Sequence, residues 1–135
     1  MPVYQSAEQL YETLMLLFES VHTQDPAAAL AVSKSRLIIR LRLSSPNAEV
    51  VINGRKNPPD IVYGSTSLRP DLDVNLSADA LHRILLAELP LGKAIANKQM
   101  KVRGPVWKSF VLEGIFRSGQ TIYPQILSKV GLNDP

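Results

Sequence analysis

The run RLIIRLRL, residues 36–43, constrains this chain more than any other stretch. Leu37, Ile39, Leu41 and Leu43 alternate with Arg40 and Arg42, and successive side chains of a strand point to opposite faces. The run therefore predicts an antiparallel strand with one buried side. SSPN makes a turn, and AEVVING, residues 48–54, returns as a second strand. The polar turn RKNPPD, residues 55–60, carries tandem prolines that a central strand does not tolerate. IVYGS follows as a third short strand. LDVNLS, residues 72–77, alternates again, with Leu72, Val74 and Leu76 inward and Asp73 and Asn75 on the solvent face. Four strands in a row, mostly joined by short turns, predict an antiparallel meander.

Helices flank this block. Ser6 with Gln9 three residues later fits a capping box, opening a helix with Leu10, Leu14, Leu17, Phe18 and Val21 at helical spacing. Asp25-Pro26 starts a second, shorter helix. Ser77 caps a third, whose inner face is Leu81, Ile84 and Leu85, with His82 on its outer side. Residues 91–97 form a short helical piece. QMKVRG is then a fifth strand, with Met100 and Val102 inward and Lys101 and Arg103 outward. Trp107, Phe110, Val111 and Ile115 keep helical spacing to about Arg117. Gly119 reads as a stop, followed by a closing helix with Ile122, Ile126, Leu127 and Val130. The expected fold is α+β, a mostly antiparallel five-stranded sheet with helices covering one face. It forms a single domain over 1–135, in which 119–135 is a C-terminal helical extension.

Composition excludes several function classes. At 135 residues, with 45% apolar and 20% charged side chains, the chain is that of an ordinary globular domain. It has no cysteine, so disulfides and thiolate metal sites are excluded. No apolar run reaches the roughly 18 residues of a membrane span, and the start lacks a signal peptide's basic region. A cytoplasmic setting is expected. The two histidines, His22 and His82, form no cluster with carboxylates at ligand spacing, so neither a metal nor a cofactor is expected. No nucleophile elbow, P-loop or dinucleotide glycine pattern occurs, so the expectation is not an enzyme. Nucleic-acid binding is not expected either, because no aromatic side chain flanks the cations of the fifth strand.

Two features remain. Residues 1–32 carry net charge −4 and the remainder +7. From Leu89 to Leu112 there are five cations, Lys93, Lys98, Lys101, Arg103 and Lys108, and no carboxylate. The same stretch is rich in large apolar residues. Leu81, Ile84, Leu85, Leu89, Ile95, Met100, Val102, Trp107, Phe110, Val111 and Ile115 fit either a filled core or the lining of an apolar cavity.

Residues 71–104, DLDVNLSADALHRILLAELPLGKAIANKQMKVRG, resemble the central signature of the sterol carrier protein type 2 family. That signature is an alternating strand ending in a cap, a helix, a Pro-containing connection, a short helix, and a strand of the type Gly-Lys-Leu-Lys-Val-x-Gly. RLIIRLRL and AEVVING match the preceding hairpin, so the resemblance spans roughly residues 10–118. The family's helix commonly ends in Gly where this chain has Ala87-Glu88, and Asn97 replaces the Gly that opens the last strand. The resemblance implies an intracellular lipid-binding or lipid-transfer protein. Its ligand would be a fatty acid, fatty acyl-CoA, phospholipid, or sterol or isoprenoid, held in a hydrophobic tunnel. The eleven apolar residues named above would line it. The five cations would edge it and could touch an anionic membrane surface transiently. The alternative is a non-catalytic accessory or scaffold module for a lipid- or quinone-metabolising enzyme.

Overall fold

The computed structural model describes residues 3–105 and 110–131. The elements run α1 (Ala7–Gln24), α2 (Pro26–Ser35), β1 (Ile38–Ser44), β2 (Ala48–Asn53), β3 (Asp60–Tyr63) and β4 (Leu72–Ser77). Then come α3 (Ala78–Leu85), α4 (Leu91–Ala96), β5 (Met100–Arg103) and α5 (Phe110–Val130). The serine caps form as their sequence predicts. Ser6 accepts a hydrogen bond from Gln9 N, and Ser77 one from Ala80 N, each satisfying a donor that the first helical turn leaves open.

The five strands make one sheet in the order β3-β2-β1-β4-β5. The sheet is mixed, which corrects the expected mostly antiparallel meander: β4 pairs with β1 in parallel, from Ile39–Leu72 to Ser44–Ser77. The other three pairings are antiparallel. A parallel neighbour cannot be reached by a tight hairpin, so residues 64–71 carry the chain past β2 and β1 to the far side.

The alternation read from the sequence sets two faces. On the inner face lie cross-strand rows such as Ile61–Ile52–Ile39–Leu72 and Val50–Leu41–Val74–Val102. They form the floor of a core roofed by α1, α2, α3 and α5. On the outer face the charges line up. Arg40, Asp73 and Arg103 share one row, and Arg42, Asn75 and Lys101 the next. Asp73 is not the solvated side chain that its alternation suggests. It is 8% exposed and takes both guanidinium donors of Arg40, Nε to Oδ1 at 3.1 Å and Nη2 to Oδ2 at 2.6 Å. The parallel pairing is the cause, because it puts Arg40 directly beside it.

Two further departures have local reasons. α5 runs unbroken through Gly119 and Pro124. Gly119 is a packing residue and not a stop: a Cβ there would come within 2.9 Å of Leu85 Cδ2. His82 points inward and is 4% exposed, hydrogen-bonded through Nδ1 to the Tyr123 hydroxyl at 2.7 Å. Tyr123 in turn shares a short hydrogen bond with Tyr4. Burial pushes the Tyr4 hydroxyl up to about 12, against the opposing effect of its bond to Tyr123. This buried chain ties the N-terminal segment to α3 and α5.

α3 ends before a left-handed Ala87, φ 62°. That conformation favours glycine, the residue usual here in the resembling family. Ala87→Gly should raise stability by up to about 1 kcal/mol, read as a higher urea midpoint.

The Arg40 hydrogen bond holds the Asp73 carboxyl below its ordinary range, opposed by burial and supported by the charges of Arg40, Arg42 and Arg103. A carboxylate with a depressed pKa stabilises the fold above the unfolded value, about 3.9 for Asp. That stabilisation is lost as pH falls through the folded value. Asp73→Asn should therefore cost about 1–3 kcal/mol at neutral pH. The gap to wild type should hold from pH 5 to 8 and close below about pH 4 in urea melts.

Candidate functional site

The roof does not rest tightly on the floor everywhere. Between the sheet and α1, α2, α3 and α5 lies an apolar cavity of about 200 Å³. Its floor is Ile39 and Leu41 of β1, Ile52 of β2 and Ile61 of β3. Leu14, Leu17, Phe18 and Val21 come from α1; Ala28, Ala29 and Val32 from α2; Leu81 and Leu85 from α3; Leu112, Ile115, Phe116 and Gly119 from α5. Small residues set its size. Ala28 and Ala29 face it where larger side chains would close it. The deep wall is fully buried, as at Leu14, Ile39, Leu81 and Leu112. The exposed lining residues, His22 and Pro58, mark the mouth, where the end of α1 meets the proline turn before β3.

The chemistry of the wall is simple. His22, in the last turn of α1, is the one ionisable side chain on it among the described residues. The backbone around the mouth is held by Ser118 Oγ, which donates to Asp25 Oδ2 at 2.8 Å and ties α5 to the α1–α2 corner. Among the described residues no group of three or more His, Asp or Glu side chains could hold a metal ion.

Leu81, Leu85 and Ile115 stand on this wall. Ile84, Leu89 and Met100 are buried in the core outside it, and Val102 and Val111 are half-buried against that core. Ile95 is exposed on α4, at 42%. Trp107 and the side chain of Phe110 lie outside the described residues, as does Lys108. None of Lys93, Lys98, Lys101 or Arg103 lines the cavity. Lys98 and Lys101 instead line an open polar groove of about 750 Å³ at the end of the sheet, together with Arg42, Glu49, Asn75 and Ser77. The contributions of α1 and α2 were not anticipated. The available signal was the alanine-rich face of AAALAV against an otherwise large-residue core.

A packed and a lined position should answer enlargement differently. Met100 is 1% exposed and off the cavity wall, so Met100→Trp should overpack and cost about 1–3 kcal/mol. Ala29→Leu has space to enter, and its urea midpoint should match or exceed wild type. A loss of more than about 1 kcal/mol in Ala29→Leu would show that the space cannot admit a side chain.

Among known proteins, no family model matches the chain and no curated protein matches it. Solved structures do. Sterol carrier protein 2 from Yarrowia lipolytica, in its apo form, is 23% identical with TM-score 0.57, covering 74% of this chain and 84% of that one. The sterol carrier protein domain 2 of Helicoverpa armigera is 17% identical with TM-score 0.68, covering 84% and 89%. Sterol carrier protein-2 of Aedes aegypti, solved in complex with the C16 fatty acid palmitate, is 19% identical with TM-score 0.50, covering 67% and 92%. The mixed sheet with its helical roof is the sterol carrier protein 2 fold.

Proposed function

We propose that this protein is a non-catalytic lipid-binding protein that holds the tail of a single-chain amphiphile, of which a fatty acid is the simplest case, in the cavity between sheet and helices. The apolar cavity carries the reading. A void is costly in a protein interior. At about 24 cal/mol per Å³, about 200 Å³ would cost at most on the order of 5 kcal/mol, comparable with a domain's whole stability. An occupant that fills it recovers the lost contacts. Each methylene taken from water contributes about 0.8 kcal/mol, so a chain can be held without specific polar contacts.

Size and polarity narrow the ligand class. The space is smaller than the roughly 300–1,000 Å³ of pockets for drug-sized molecules, which favours one flexible chain over a fused sterol ring system. The head group would sit at the mouth, beside His22 and Pro58. The palmitate complex of the Aedes aegypti protein shares the fold and supports the same reading. The accessory-module alternative makes the cavity a structural accident of the fold.

Titration with a fluorescent fatty acid should give saturable binding, and mass spectrometry of extracts from the purified protein should find single-chain lipids. Ala29→Leu fills the space of two to three methylenes and should weaken the probe by at least about tenfold. Added fatty acid should raise the melting temperature of wild type more than that of the variant. A folded protein that gives neither a saturable signal nor extractable lipid would sink the carrier reading in favour of the accessory module.

A further inference from the structure

The outer face of the sheet carries two charged cross-strand rows, none of whose members lines the cavity. In the row Arg40–Asp73–Arg103 a carboxylate stands between two cations, and Arg40 closes on it at 2.6 Å. Two residues along the same strands the row is Glu49–Arg42–Asn75–Lys101, with the carboxylate at its β2 end. Here a neutral amide takes the place of the carboxylate, and like charges flank it on both sides. Strands lie about 4.8 Å apart, so the two cations start roughly 10 Å apart on long side chains that can converge over Asn75.

The surroundings complete a cradle. Arg42 has one carboxylate in range, Glu49, at a loose 3.8 Å, and its side chain stays 51% exposed. Neither Lys98 nor Lys101 has a carboxylate within ion-pair distance among the described residues. Lys98 enters from the turn between α4 and β5, where its backbone is held left-handed at φ 63°. Ser44 and Ser77, paired in register, and Gln99 add neutral donors along the same groove of about 750 Å³. Left-handed non-glycine backbone costs free energy and gathers at functional sites.

We infer that this groove binds a phosphate group, which would take the place that Asp73 fills in the neighbouring row. A guanidinium fork, an amide N–H and two ammonium groups offer charge-assisted hydrogen bonds to several oxygens of one tetrahedral anion. A soluble metabolite and a lipid head group both carry such a phosphate, and the two sources are separable.

Calorimetric titration of the full chain with inorganic pyrophosphate at low salt should show saturable binding that weakens as salt rises. Asn75→Asp supplies the missing carboxylate internally. It should keep or raise the urea midpoint, leave fatty-acid probe binding unchanged, and weaken pyrophosphate by at least about tenfold. Lys101→Gln should weaken it similarly. Lys129→Gln, at the far end of α5, should change it by no more than about twofold. Binding to phosphatidate-containing vesicles alone, with the same dependence on Asn75, would assign the phosphate to a lipid head group. Binding to neither, or equal losses in Asn75→Asp and Lys129→Gln, would overturn the site.

Discussion

The parallel ladder between β1 and β4, from Ile39–Leu72 to Ser44–Ser77, fixes the strand order on which both faces of the sheet depend. It places Leu72 and Val74 beside Ile39 and Leu41, completing the apolar floor. It also brings Asp73 against Arg40 and Asn75 against Arg42. In a simple meander β4 would lie beyond β3, and Arg40 would face no carboxylate from β4. The ladder also determines how the chain must run. A parallel partner requires a crossover, and residues 64–71 supply it without a helix, with Gly64 N bonding Glu49 O and Asp71 N bonding Ile38 O at 2.7 Å each. Those two bonds anchor the crossover to β2 and to β1.

Much of this was legible in the residues because strands and helices declare themselves locally. The alternation of 36–43 and of 72–77, the serine caps, and the spacing of Leu81, Ile84 and Leu85 each report which side of an element is buried. Strand order is a non-local property. Nothing in the period of LDVNLS says whether its neighbour is β3 or β1. His82 and Asp73 were misplaced for the same reason. Each needs a partner from a distant segment, Tyr123 for His82 and Arg40 for Asp73, and a polar residue without a visible partner reads as solvated.

The site was harder to read than the fold. Hydrophobic spacing reveals which residues point inward, but not how closely the inward faces approach. Ile84 and Leu85 are neighbours on the same helix, yet Leu85 faces the cavity while Ile84 is packed in the core. The difference is made by what stands opposite. Gly119 lets α5 pack directly against Leu85, while Ala28 and Ala29 line the cavity on the α2 side. Small residues in a helix face are ordinarily read as tight packing. Here Ala28 and Ala29 border a cavity instead of a closed contact.

The placement of Lys101 and Arg103 follows from period two in β5. Met100 packs in the core while Lys101 and Arg103 project to the opposite face, so apolar and cationic residues are neighbours in sequence and separated in space by the thickness of the sheet. A dry cavity ringed with cations would carry a desolvation cost of several kcal/mol per buried ion. A wall with one ionisable side chain among its described residues, exposed at its mouth, avoids that cost. The apolar cavity and the cationic outer face can therefore be shaped independently. Inward positions of β1 such as Leu41 answer to the cavity, and outward positions such as Arg42 answer to the groove.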